Sequence, residues 1–430
     1  MHVLLTGSSG FIGGHLRAAL RAEGHVLRLA GRRPPPGLLP GEEWVSLDLA
    51  RPPEAAAWAP ALRGVDAVVN CVGILRERGT QTFERLHVEG PRALFAAAAA
   101  AGVGRVLQVS ALGADDGAQS AYHRSKMAAD DALLALLPGG VVAQPSLVYG
   151  PGGASAQLFT MLAALPVLPL PAGGHQPVQP IHIDDLVRCL LALLTDAEAS
   201  GRRVALVGAE PLFFGTYLQT LRCAMGLPRA RTVAVPARLV EFTAGLLARV
   251  PGSPLDRDTW QMLQRGNAAP ADDTERLLGH PPRRAADFIA PRDAVVVRRS
   301  AELDGMLPVL RVSIALVWIV TGIVSLGVYP VEASYALLAR AGIEGALAPW
   351  ALYGAALLDL AFGVATLLLA RRHRLWLWLA QIGLVVGYTA IITLRLPDYW
   401  LHPYGPVLKN LPLLAVLWLL YVVDRKGHPP

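Results

Sequence analysis

The chain has 430 residues, 53% of them apolar and 17% charged, with a formal net charge of +6 and a mean hydropathy of +0.40. That length exceeds what one hydrophobic core serves, and the apolar excess is high for a wholly soluble chain, so two or three domains and a membrane segment are expected. The positive charge is almost all arginine, the three lysines being Lys126, Lys409 and Lys426, and it is not interleaved with aromatics, which speaks against a nucleic-acid partner. Cys71, Cys189 and Cys223 are too few and scattered for a disulfide framework or a metal knuckle and fit a reducing compartment. No signal peptide and no metal site are expected.

The first stretch organises the rest. Val3, Leu4 and Leu5 read as a short buried strand, glycines at 7, 10 and 13 follow, and Ile12, Leu16, Ala19 and Leu20 resume at helical spacing. Strand, glycine turn and helix serve one chemistry well, the binding of a dinucleotide pyrophosphate: glycine permits positive φ, close backbone approach and close helix packing, and the helix N-terminus attracts phosphate. Thr6, Gly7, Ser9, Gly10, Phe11, Ile12 and Gly13 are therefore candidate cofactor contacts.

A second strand, 25–33, ends in Arg32 and Arg33, where an acidic residue would hold a ribose hydroxyl and an arginine accommodates a 2′-phosphate. NADP(H) is the expected cofactor, with NAD(H) as the alternative in which Arg32 stacks on adenine or lies in a solvated loop. The third strand, 44–49, brings Asp48 and Leu49 to the adenine side, and the fourth, 67–73, ends in Asn70, Cys71, Val72 and Gly73, small enough for the cofactor to pass. An alanine-rich helix runs to residue 101, a fifth strand spans 105–110, and Pro145 is a further candidate cofactor contact. Such alternation predicts an α/β fold with a doubly wound parallel sheet, its ligand at the carboxyl ends of the strands.

Tyr122 and Lys126 lie four apart in a helix predicted over 120–137 and share a face, where an ammonium would lower the phenol pKa and let the tyrosine exchange a proton with a carbonyl or alcohol oxygen. The plainer alternative is a solvent-facing pair. With Ser110 they form the candidate catalytic set, and Tyr122 and Lys126 also count as cofactor contacts. These residues, the glycine turn, the 70–73 strand end, and the runs at 145–151 and 180–186 resemble the extended or atypical branch of the short-chain dehydrogenase/reductase superfamily, of NAD-dependent epimerase/dehydratase kind. Within it the chain is similar to proteins related to the NAD(P)-binding accessory subunit of respiratory complex I. The resemblance covers residues 1–295. It implies a Rossmann-type domain over 1–299, with the part from 151 shaping a substrate pocket. Two departures stand out: His87 occupies a place where active members usually carry Asn, and the serine of extended members falls on Leu112, leaving Ser110 with Ser120 as fallback. In the pocket region, helices are expected at 216–225, 237–249 and 258–265, and Phe213, Phe214 and Tyr217 either line a pocket or pack in the core.

Residues 300–430 read as an all-α membrane domain with spans at 307–328, 347–370, 375–394 and 407–423. Arg298 and Arg299, Arg371, Arg372 and Arg374, and Arg425 and Lys426 all fall on one side of that topology, so both termini and the nucleotide domain are expected to be cytoplasmic, at an inner (plasma) membrane. The connection at 396–406 and the run after Lys409 resemble the DoxX-like family. Asp359 stands mid-span, where an unpaired charge is costly, and Lys409 is its expected partner; Gln381 is a weaker candidate. Together these features imply a membrane-anchored NAD(P)-dependent oxidoreductase acting on a quinone or another lipophilic carbonyl or alcohol. A nucleotide-binding scaffold and a nucleotide-sensing transporter are the alternatives.

Overall fold

The computed structural model describes residues 1–35, 37–51, 55–247 and 256–426. They form two compact units, divided between Ala301 and Glu302.

The first unit is built on seven parallel strands: β1 His2–Thr6, β2 Val26–Gly31, β3 Glu42–Ser46, β4 Ala67–Asn70, β5 Arg105–Val109, β6 Val141–Pro145 and β7 Arg203–Leu206, in the spatial order β7-β6-β5-β4-β1-β2-β3. The direction of winding reverses between β1 and β4, which pair from Val3 with Ala67 to Thr6 with Asn70. That reversal opens a crevice beyond their carboxyl ends. Alternation along β1 sends Val3 and Leu5 into one core with Leu16 and Leu20, and Leu4 into the other with Val68 and Phe95. Both faces of the sheet are covered, as a parallel sheet requires.

Helix α1, Phe11–Ala22, follows the glycine turn; α2, Gly90–Ala100, precedes β5; α3, Ala121–Leu136, carries the tyrosine and lysine; and α4, Ile183–Leu193, packs against α1. The predicted alanine-rich helix differs at its start, because Glu84–Glu89 is a π-helical turn leading into α2. A side chain at Gly90 would place its Cβ 2.6 Å from the Leu49 carbonyl oxygen, so the chain crosses β3's exit closely at this point. The helices Phe214–Ala224, Ala237–Leu247 and Arg257–Arg265 form where helical spacing was read, while residues 248 and 249 lie outside the described ones. Phe214 and Tyr217 are core residues, whereas Phe213 is 56% exposed.

Among the described residues, three helices are long and apolar enough to cross a bilayer: Ala294–Val328, which begins before the division between the units, Leu347–Leu368 and Arg371–Arg395. The first continues as α5, Ala294–Ile323, into a π-turn, Val324–Val328, that breaks at Gly327 with φ +141. α6 is Leu347–Leu368, α7 Arg371–Arg395 and α8 Asn410–Lys426. The fourth expected span therefore begins at Asn410 rather than 407, and α8 has 17 residues. A short helix, Val331–Ala341, precedes α6 and was not anticipated. Asp359 is a correction too. It is buried, its Oδ1 has no hydrogen-bond partner, and no ion pair joins it to Lys409 among the described residues. Gln381 accepts from Trp318 Nε1 at 3.0 Å and donates to Thr366 Oγ1 at 2.9 Å, tying α5, α6 and α7 together. The Asp424 carboxylate accepts from Arg311 and from Trp378 Nε1, each at 2.9 Å, with Arg371 at 3.8 Å. Arg311 in the middle of α5, the first turns of α7 and the end of α8 therefore meet around Asp424.

Candidate functional site

At the end of β1, Gly7 adopts φ +73. A Cβ there would lie 2.7 Å from the Cys71 carbonyl carbon, and one on Gly13 would penetrate the Gly7 carbonyl oxygen. The glycines exist because α1 and β4 both close on this turn. Gly10 caps α1 without a side-chain acceptor and no acidic residue occupies the first turn, so the N–H groups of Phe11, Ile12 and Gly13 leave the helix end without intrahelical acceptors. Ser9 is exposed beside them. The Phe11 ring walls the turn, lying 2.9 Å from where a Gly153 Cβ would sit. A side-chain-free cradle under an uncapped, positively polarised helix end fits a diphosphate.

The floor is a buried polar chain. Thr6 Oγ1 donates to Asn70 Oδ1 at 2.5 Å, Asn70 Nδ2 donates to Gln108 Oε1 at 2.7 Å, and the Val72 N–H reaches Asn70 Oδ1 at 3.2 Å. Thr6 and Asn70 thus spend these side-chain contacts aligning β1, β4 and β5, and beyond β4 Cys71 and Val72 are half-buried and Gly73 is exposed. Lys126 Nζ donates to the carbonyls of Val72 at 3.3 Å and Val109 at 3.1 Å. On the adenosine side, the Arg32 guanidinium lies against the Gln81 carboxamide. Asp48 Oδ1 accepts the Ala50 N–H at 3.0 Å, a local turn contact that engages one oxygen of the expected adenine partner. Leu49 is buried, and the Pro145 carbonyl accepts from the Leu112 N–H at 2.9 Å.

Tyr122, Lys126 and Asp130 recur every four residues along α3 and so share one face. Asp130 is the residue sequence reading missed, although continuing the tyrosine-lysine face by one turn reaches it. Ser110 Oγ donates to Asp130 Oδ2 at 2.5 Å, while Asp130 Oδ1 has no partner. Burial pushes the Asp130 carboxyl up to about 7 against the opposing Ser110 hydrogen bond and Lys126 charge, and lowers the Lys126 ammonium to about 8. Tyr122 departs from expectation: burial and then the Asp130 charge push its phenol up to about 12 rather than down. Ser120, the fallback serine, is the N-cap of α3, its Oγ accepting from the His123 N–H at 3.2 Å, so its hydroxyl stabilises the helix start.

His87 sits beneath Tyr122, with ring centroids 5.6 Å apart. Its Nε2 accepts from the Ile74 N–H at 2.9 Å, which leaves Nδ1 to donate to Ser125 Oγ at 2.9 Å, and Ser125 donates onward to the Tyr122 carbonyl at 2.7 Å. Burial, helped by Lys126, drives the imidazole down to about 2, so it is neutral with one donor and one acceptor. Further out, Arg265 grips the loop after β5 through the Gly113 carbonyl at 2.6 Å and Asp115 at 2.5 Å, and Asn267 Nδ2 donates to the Leu112 carbonyl at 3.3 Å. Neither clamp residue carries a motif.

Residues 3–208 match the NAD dependent epimerase/dehydratase family and residues 315–418 the DoxX-like family. A ceramide reductase of Caulobacter vibrioides is 35% identical over 194 residues, 44% of this chain and 60% of that protein. The mouse mitochondrial NADH dehydrogenase [ubiquinone] 1 alpha subcomplex subunit 9 is 28% identical over 34% of this chain and 40% of its own length. The chain thus spans between two fifths and three fifths of these relatives. A nucleoside-diphosphate-sugar epimerase from Staphylococcus aureus shares the fold, with a TM-score of 0.56 at 18% identity, over 67% of this chain and 99% of that one. Residues 3–208 therefore form a domain similar to the NAD dependent epimerase/dehydratase family, and residues 315–418 form a DoxX-like domain.

Proposed function

We propose that the chain is a membrane-anchored oxidoreductase that uses a nicotinamide dinucleotide to reduce a carbonyl on a lipophilic substrate, or to oxidise the matching alcohol. The observation that carries this reading is the Tyr122, Lys126 and Asp130 face of α3 set beside the glycine cradle. Gly7, Ser9, Gly10, Phe11, Ile12 and Gly13 would hold the diphosphate; Cys71, Val72, Gly73, Lys126 and Pro145 would border the nicotinamide half, and Arg32, Asp48 and Leu49 the adenosine half. The bound dinucleotide supplies or accepts the hydride.

The protein's share of the chemistry is the proton. A phenol at about 12 is protonated at neutral pH, so Tyr122 has a proton to give to a substrate oxygen, and reduction is the direction it favours. Lys126, anchored on two carbonyls, holds positive charge next to the phenolate left behind. His87 supports turnover despite standing where active relatives carry Asn, because a neutral imidazole offers one donor and one acceptor, as a carboxamide can. Arg32 at the end of β2, with no acid at that position, favours NADP(H). The similarity to a ceramide reductase and the membrane helices together favour a long-chain lipid, with quinones as the next class. In this reading the nucleotide unit and both termini lie on the cytoplasmic side of an inner membrane, which the arginines clustered toward one end of the bundle favour, and α8 is a fourth span.

The scaffold reading has one observation in its favour: Ser110 donates to Asp130 rather than facing a substrate. NADPH consumption by membranes carrying the full chain, assayed on ceramide-type ketones, quinones and isoprenoid ketones, separates the two. Tyr122→Phe lowers the rate by about 10²–10⁴ with nucleotide affinity unchanged. Equal background rates beside intact nucleotide binding would establish the scaffold.

A further inference from the structure

The first unit keeps its large apolar side chains inside, with one regional exception. Before residue 294, five described ones are more than half exposed: Leu75 at 56%, Phe213 at 56%, Val233 at 54%, Leu239 at 51% and Phe242 at 70%. Four of the five fall within thirty positions of sequence, on elements that follow one another in the chain. Strand Arg231–Val235 pairs with Val167–Pro171, register Val233 with Pro169, so Val167, Pro169 and Val233 share the outward face of a two-stranded ribbon whose inward Leu168 and Leu170 are core. The turn Ala172–Gly174 packs on that strand and on helix Phe214–Ala224, and His175 next to it contacts the Phe213 ring edge-on, with centroids 5.7 Å apart. After Pro236 the strand runs straight into Ala237–Leu247, an amphipathic helix with Val240 and Ala244 buried and Leu239 and Phe242 outward. Arg229, Arg231 and Arg238 are exposed on these elements, where Glu241 is the one acid between residues 229 and 247, and Glu210 near Phe213 is paired with Arg284.

We propose that this face, Phe213, Val233, Leu239 and Phe242 rimmed by Arg229, Arg231 and Arg238, is a peripheral bilayer-docking surface that seats the pocket region on anionic phospholipid. An apolar stripe with a basic rim is how a helix lies in a membrane interface, and each arginine near an anionic surface adds attraction. The occupant follows from the chain itself: three of its helices are long and apolar enough to cross a bilayer, so lipid is at high effective concentration for every copy. The ribbon and helix belong to the region that shapes the pocket, so a docked face lets an apolar substrate leave the bilayer without crossing water.

The test uses the full chain in nanodiscs of phosphatidylethanolamine and phosphatidylglycerol, in a Cys223→Ser background. A fluorescent thiol label is placed at Phe242→Cys or, as control, at Leu136→Cys, which is exposed on α3. Lipids brominated in the acyl chains quench the label at 242 severalfold more than at 136, and Arg231→Glu with Arg238→Glu reduces that quenching in anionic but not in neutral nanodiscs. Equal quenching at both positions would overturn the proposal. So would protection of position 242 from aqueous iodide without quenching by brominated lipid, which would mean a protein occupant, a second copy of the chain included.

Discussion

The two units use similar apolar residues and point them in opposite directions. In the nucleotide unit Leu4, Leu5, Val68 and Leu107 are fully buried between sheet and helices, whereas in the membrane unit Leu357, Leu368, Trp350 and Trp376 are more than half exposed. The polar groups reverse the pattern: Trp318, Gln381, Thr366, Trp378 and Asp424 sit inside the bundle. Lipid removes the incentive to bury carbon and makes an unmet hydrogen bond expensive, so a spanning bundle is organised by its few polar side chains. The nucleotide unit also contains a buried polar chain, Thr6, Asn70 and Gln108, but there it aligns strand ends for a ligand while apolar burial supplies the stability.

That contrast is broken most severely at the polar centre of the bundle. Asp424→Leu leaves Arg311 and Trp378 without their shared acceptor, and the full chain in detergent loses about 3–5 kcal/mol, read as a drop in melting temperature with nucleotide affinity unchanged. Gly13→Ala probes the other unit. Its Cβ meets the Gly7 carbonyl, costing about 1–3 kcal/mol and abolishing nucleotide binding measured by calorimetry.

Asp130→Asn sharpens the contrast through pH. A carboxyl raised to about 7 when folded, from about 4 when unfolded, contributes most to stability below pH 4 and loses that contribution as pH rises through 7. The native chain's melting temperature therefore declines from pH 5 to pH 7 through this group, and Asp130→Asn flattens the decline. Gln381→Leu is the mildest: it strands the Trp318 N–H at a cost of about 1 kcal/mol, visible as a small melting shift and no change in nucleotide binding.

Much of this was readable along the chain, because it depends on neighbours in sequence. Glycine spacing sets what the turn after β1 can do, periodicity marks α3, and twenty apolar residues mark a span whatever surrounds them. The opposing faces of β1 follow from alternation alone. What periodicity cannot supply is the partner on another element. Asp130 carries no motif of its own and matters because folding brings β5's exit, with Ser110, against α3. Lys409 was the sensible counter-charge for Asp359 on composition, yet helix rotation buries the acid without it. The Tyr122 pKa ran opposite to expectation for the same reason: a neighbouring ammonium can be read from spacing, but desolvation and a carboxylate two turns along belong to the packed state. Local backbone chemistry is written residue by residue, whereas burial and long-range pairing are properties of the assembled chain.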